Sequence, residues 1–189
     1  MLEELLRHDK ELFLLLNNLG NPTWDAFFMF ITNKYSAIPL YILLLFFSYK
    51  QFGLKKSVVL LITALLMIVV TNGLADFFKY GLQRLRPCYD TDVSELMRLV
   101  KSSCGGKFSY FSAHAANTTA IAFFFSRLLK QNLRYIGIFL IVWAILVAYS
   151  RVYIGVHFPL DVVSGMGIGL FFGGLFTKLY IFAVRKSGL

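Results

Sequence analysis

The sequence predicts an all-α fold: an integral membrane helical bundle of about six membrane segments, one domain over residues 1–189. Two observations carry this. The chain is 58% hydrophobic and only 15% charged, with a mean hydropathy of +0.67, whereas soluble domains of this size carry more charge. The apolar residues also gather in runs near the roughly 20 residues a helix needs to cross a bilayer. Helices follow, because lipid offers an open segment no other partners for its backbone groups. The formal charge of +9 in such a chain points to anionic lipid surfaces rather than nucleic acid.

In order along the chain, residues 1–19 place charges first and apolar residues later. The start is acidic and no small-residue cleavage site follows, so the segment reads as an interfacial amphipathic helix and not a signal peptide. His8 falls there as a solvated residue. Gly20-Asn21-Pro22 breaks it; Asn21 suits a cap and Pro22 a first helical turn. The next run, 23–32, is short for a span. It either joins 11–19 as one kinked crossing or is tilted or re-entrant, with Trp24 and Tyr35 as interface anchors. The remaining spans are 36–49, 57–78, 113–125, 136–149 and 160–184, and residues 88–111 form one long polar connection.

Lys50, Lys55, Lys56, Arg127, Lys130, Arg134, Arg185 and Lys186 occupy alternate connections. The positive-inside rule puts them in the cytoplasm and the other set of helix ends, with the 88–111 connection, on the external face.

Those other ends carry the chemistry. Arg151, His157 and Asp161 crowd between two apolar runs, where a short bland turn is usual. His157 and Asp161 are four apart, so a helical start stacks them on one face. A carboxylate behind an imidazole fixes its tautomer and makes the free nitrogen a better base or nucleophile. Lys79 and Arg86-Pro87 end an earlier run, and Ser112-Ala113-His114 opens a later one. Lysine and arginine at helix ends can simply snorkel to headgroups, which suffices for Lys79 or Arg84 taken alone. It does not account for two histidines and an aspartate at the same depth. A phosphate does fit: Lys79, Arg86 and Arg151 supply three cations, and Ser112 as an N-cap turns the following N–H groups toward an anion.

In order, the chain reads K-x6-R-P, then S-x-H, then S-R-x5-H-x3-D. This resembles the three-part signature of the type 2 phosphatidic acid phosphatase (PAP2) superfamily, over about residues 57–184, and implies the core shared with vanadium haloperoxidases. The first and third parts match residue for residue. In the second, Phe111 and Ala113 stand where the family usually has Pro and Gly, and a Cβ at 113 limits how closely a phosphate oxygen approaches that backbone. The resemblance implies that His157 attacks phosphorus and forms a phosphohistidine, that Asp161 orients His157, and that His114 protonates the leaving oxygen and later activates water. Lys79, Arg86, Ser112, the Ala113 N–H and Arg151 would hold the phosphoryl oxygens.

The expected activity is therefore metal-independent hydrolysis of a phosphate monoester or diphosphate on a membrane lipid, at the external face of a bacterial inner membrane. No cofactor, metal or obligate protein partner is expected. Undecaprenyl diphosphate is the first-choice substrate; a lipid A phosphate, phosphatidylglycerophosphate and phosphatidic acid are the alternatives. An anion transporter would place its charges near mid-membrane in paired repeats, and none occur. A serine hydrolase would leave the three cations unexplained, and a vanadate-dependent oxidase fits the short lipidic chain least. Asp76, one turn before Lys79, reads as its ion-pair partner; Asn72, Asn117, Thr118 and Thr119 read as interhelical hydrogen bonders. Cys88 and Cys104, the only cysteines, share the external connection, where a disulfide persists. Closing that loop of about 15 residues is worth roughly 3 kcal/mol in the chain-entropy model.

Overall fold

A computed structural model describes residues 1–129 and 135–189; Lys130, Arg134 and the stretch between them lie outside the described residues. Six α-helices occur in them: α1 (Leu2–Asn18), α2 (Pro22–Thr32), α3 (Ile38–Leu82), α4 (Ala113–Leu129), α5 (Ile136–Tyr153) and α6 (Pro159–Lys186). Helices α3, α5 and α6 are long and apolar enough to cross a membrane.

Residues 11–33 fall in two distinct helices, α1 and α2. Asn21 caps α2, its Oδ1 accepting from the Thr23 N–H at 3.1 Å, with Pro22 in the first turn. At 11 residues, α2 spans only about 16 Å. Both helices are fastened to the end of the bundle that carries the motifs. The buried Asn17 amide donates to the carbonyls of Arg98, Val152 and Tyr153 and accepts from the Arg98 N–H. Lys10 pairs with Asp90 and Asp92.

The runs 36–49 and 57–78 form one element, α3, of 45 residues, interrupted at Gly53 (φ 76°, ψ 175°). That dihedral is open to glycine and strained for other residues. The chain folds back there. Tyr41 and Ile68 line one cavity, although a straight helix would hold them about 40 Å apart. Lys56, Arg127 and Arg185 gather with Gln51, Phe52 and Tyr180 around a second cavity of about 290 Å³, so the basic connections lie together at the end opposite the motifs.

Helices α4 and α6 make the tightest pair. Gly165, Gly169 and Gly173 recur every four residues on α6 and face the α4 backbone. A Cβ at Gly165 would stand 2.6 Å from the Ser112 carbonyl oxygen, and at Gly173 2.9 Å from that of Ala120; at Gly169 it would collide with the Ala116 carbonyl. Small residues permit this approach, which packing between membrane helices rewards.

Candidate active site

The polar connection between α3 and α4 folds over the motif end of the bundle. Arg86 N–H bonds the Lys107 carbonyl at 3.0 Å and Ser109 N–H bonds that of Arg84 at 2.8 Å. Cys88 and Cys104 are bridged, with Cα atoms 6.4 Å apart. Beneath lies a cavity of about 520 Å³, into which Lys79, Arg86, Ala113, His114, Arg151 and His157 all project. Three separate stretches of sequence thus meet in one space.

Each cation is held by its own means. Lys79 Nζ pairs with Asp76 Oδ1 at 2.9 Å, as expected from their spacing on α3. The Arg86 guanidinium is oriented by backbone carbonyls: Nε donates to Phe108 at 3.2 Å and Nη1 to Cys104 at 3.1 Å and Val156 at 3.4 Å. Arg151 is 6% exposed. Its Nη1 donates to Thr32 Oγ1 at 2.7 Å, while its Nε is buried without a hydrogen-bond partner. Neither Arg86 nor Arg151 faces a carboxylate in an ion pair among the described residues. Lys34 and Lys101 bring the lining cations to five, and no Asp or Glu lines the cavity among the described residues.

His157 sits in the turn between α5 and α6, 2% exposed. Its Nδ1 faces Asp161 Oδ2 at 3.5 Å, without a hydrogen bond among the described residues; with Nδ1 on the Asp161 side, Nε2 is the ring nitrogen left for the cavity. Burial pulls the imidazole down to about 4; Asp161 opposes this, and Arg151 and Arg86 add to it. The ring is therefore neutral near pH 7, with a lone pair available. Asp161 lies behind His157, in the first turn of α6. Its Oδ2 accepts the Phe158 N–H at 3.0 Å, and Oδ1 accepts Arg84 Nη1 at 2.6 Å.

Ser112 departs from its expected place. It is fully buried and is not part of the cavity lining. Its N–H donates to the Asp161 carbonyl at 3.0 Å, and its Oγ faces the Ala115 N–H at 3.4 Å, as a cap of α4 would. Ser112 thus ties the start of α4 to the start of α6, which sets His114 beside His157. Of the expected interhelical hydrogen bonders, Asn117 Nδ2 donates to Asn72 Oδ1 at 2.8 Å, and Asn117 Oδ1 accepts from Thr71 Oγ1. Thr118 instead bonds the His114 carbonyl of its own helix, and Thr119 Oγ1 is buried without a hydrogen-bond partner among the described residues.

Several residues of the site were not legible in the sequence. Arg84 has the look of a snorkelling cation, yet it binds Asp161 and Asp9. Asp9 sits in a charged run with no motif around it. Thr32 and Lys101 are a lone hydroxyl and one charge in a polar stretch.

The PAP2 superfamily model matches residues 57–185. The chain is 33% identical over 183 residues to a lipid A 4'-phosphatase of Porphyromonas gingivalis, covering 96% of this chain and 77% of that one. A lipid A 4'-phosphatase of Bacteroides thetaiotaomicron is 34% identical over 178 residues, covering 93% and 78%. An undecaprenyl-diphosphatase of Sulfolobus acidocaldarius is 31% identical over 172 residues, covering 88% and 76%. The crystal structure of a transmembrane PAP2-type phosphatidylglycerolphosphate phosphatase from Bacillus subtilis superposes with a TM-score of 0.72 at 22% identity, covering 93% of this chain and 86% of that one, and shares its fold. With three motifs gathered in one cavity and the family matched from α3 to the end of α6, the chain belongs to the PAP2 superfamily, in its membrane lipid phosphatase branch.

Proposed function

We propose that this phosphatase removes a phosphate from a lipid A-class headgroup, at the external face of a bacterial membrane, through a phosphohistidine at His157. One observation carries the phosphohistidine reading. Among the described residues, Arg86 and Arg151 are inward-facing cations bonded only to carbonyls and a hydroxyl, with no carboxylate in an ion pair, and they share a cavity with His114 and His157. A buried cation without a partner is costly, and a phosphoryl group is the anion whose oxygens match a guanidinium fork.

His157 Nε2 attacks phosphorus as the bond from phosphorus to the lipid oxygen breaks, and His114, protonated only once the negative charge of the bound phosphate faces it, gives its proton to that oxygen. Lys79, Arg86 and Arg151 take up the charge on the equatorial oxygens, so electrostatic stabilisation and positioning do most of the work. His114, now neutral, takes a proton from a water that attacks the phosphohistidine, releasing inorganic phosphate and restoring His157. Ser112 acts from behind, by holding α4 against α6. The cations supply the neutralisation that a divalent metal would otherwise bring.

The relatives favour lipid A over undecaprenyl diphosphate, the first expectation: the two lipid A 4'-phosphatases match more of the chain, at higher identity, than the undecaprenyl-diphosphatase does. The test is phosphate release by purified protein in detergent with excess EDTA, from lipid A, undecaprenyl diphosphate, phosphatidylglycerophosphate and phosphatidic acid. Lipid A is expected to turn over fastest, with vanadate inhibiting. Preference for undecaprenyl diphosphate would overturn the substrate, and a magnesium requirement restored after chelation would overturn the mechanism.

A further inference from the structure

A chain of buried charges lies behind His157, on the side away from the cavity. Asp161 Oδ1 accepts Arg84 Nη1 at 2.6 Å. Arg84 Nη2 is bound in turn by Asp9 Oδ2, and Asp9 Oδ1 accepts the Leu160 N–H at 2.8 Å. The Arg84 guanidinium lies over the Phe158 ring, 4.5 Å from its centroid. The side chains of Asp9, Arg84 and Asp161 are 5%, 16% and 0% exposed. Neither Asp9 nor Arg84 lines the cavity, and Arg84 falls among the unspecified positions between Lys79 and Arg86 in the family signature.

We propose that Asp9 and Arg84 are positioning residues for the nucleophile: Arg84 holds the Asp161 carboxylate with Oδ2 turned toward His157, and Asp9 offsets the charge of Arg84 so that Asp161 remains available to the imidazole. The proposal rests on His157 as the nucleophile. Without Asp9, Arg84 would bind Asp161 as a full competitor and add positive potential at a ring already facing Arg86 and Arg151, with His114 across the cavity. With Asp9, the three charges behind the ring carry one net negative charge. A mere docking role for Asp9 explains less, because α1 is already fastened by the four hydrogen bonds of Asn17 and by Lys10 on Asp90 and Asp92. For the same reason, variants at Asp9 are expected to fold.

The experiment compares Asp9→Asn, Arg84→Gln and the double variant in detergent micelles. One readout is His157 itself, followed by NMR of ¹³C-labelled imidazoles; the chain has three histidines, so His8→Gln and His114→Gln assign the signals. The other is the pH profile of phosphate release from dioctanoyl phosphatidic acid. Asp9→Asn removes a negative charge, so the His157 titration should move to lower pH; Arg84→Gln removes a positive charge and should move it to higher pH, each by about one unit. The double variant should return near the wild-type titration while kcat stays down by about 10²-fold, since Asp161 is no longer oriented. KM should hold, because neither side chain meets substrate. Asp9→Glu and Arg84→Lys keep the charges and should leave the titration in place. Shifts in the same direction, or unmoved titrations with losses only in melting temperature, would overturn the proposal. The NMR arm needs no turnover, so a wild type inactive on the probe lipid would count against the phosphatase reading and still leave the charge chain tested.

Discussion

Arg151 is placed where stability alone would not put it. Among the described residues its Nε is a buried donor without a hydrogen-bond partner, and its Nη1 donates to a neutral hydroxyl, Thr32. Leaving a cation this way costs several kcal/mol, which the proposed phosphoryl group would offset. Arg151→Met should therefore leave the ligand-free melting temperature unchanged or raised, abolish phosphate release, and remove the stabilisation that vanadate gives the wild type. Melting curves with and without vanadate check this, and a wild type that vanadate does not stabilise would contradict it. His157 makes a companion prediction. Burial holds its imidazole near 4, and the proposed nucleophile is the neutral form. Activity should be present above that value and fall as pH drops through about 4, not near the ordinary histidine value of about 6.5. A pH profile of kcat/KM reads the limb directly, and His157→Ala should show no turnover at any pH.

At the scale of elements, the site depends on a contact between backbones. The Gly165, Gly169 and Gly173 stripe lets α6 lie against the carbonyls of α4, and the Ser112 N–H to Asp161 carbonyl bond locks the tops of the two helices in register. His114 and His157 belong to those two tops, so the spacing between the two imidazoles is an outcome of glycine packing some distance away. Gly169→Leu should force the helices apart. Overpacking typically costs about 1–3 kcal/mol, and a 1 Å misplacement can cost about 10²-fold in rate. Gly167→Leu, where an added Cβ meets nothing within 4 Å, is the control. Circular dichroism melts and kcat for both variants check this: loss in the first and not the second is expected.

At the scale of the molecule, the two ends of the bundle differ in kind. One end carries Lys56, Arg127 and Arg185 around a small cavity; the other carries the disulfide, α1 and the cavity lined by both motif histidines. The positive-inside rule assigns the first end to the cytoplasm. Leu54, 67% exposed beside the Gly53 break, offers a test. Leu54→Cys introduces a single free thiol, since Cys88 and Cys104 are bridged. It should react with an impermeant maleimide only after the cells are opened. Labelling in intact cells would reverse the orientation and put the chemistry inside.

Much of this protein was legible in one dimension because its strongest signals are local. Apolar runs of membrane length and Asp76 one turn before Lys79 are set by helical repeat alone, whereas His157 meets Asp161 from the turn just ahead of α6. The helix break at Asn21-Pro22 is likewise a property of adjacent residues. What only the tertiary structure decided involves partners far apart in sequence. Nothing near Asp9 marks it as the residue that meets Arg84 and the start of α6, because charges on an amphipathic helix look alike until a partner is chosen. The stripe on α6 reads as three small residues until α4 lies across it. Ser112 could cap a helix and also hold a phosphate on sequence grounds; the fold spent its N–H on Asp161 and left the cavity to its neighbours. The reversal at Gly53 follows the same logic. A glycine permits a left-handed dihedral, but whether the chain uses it is decided by what the two halves of α3 pack against.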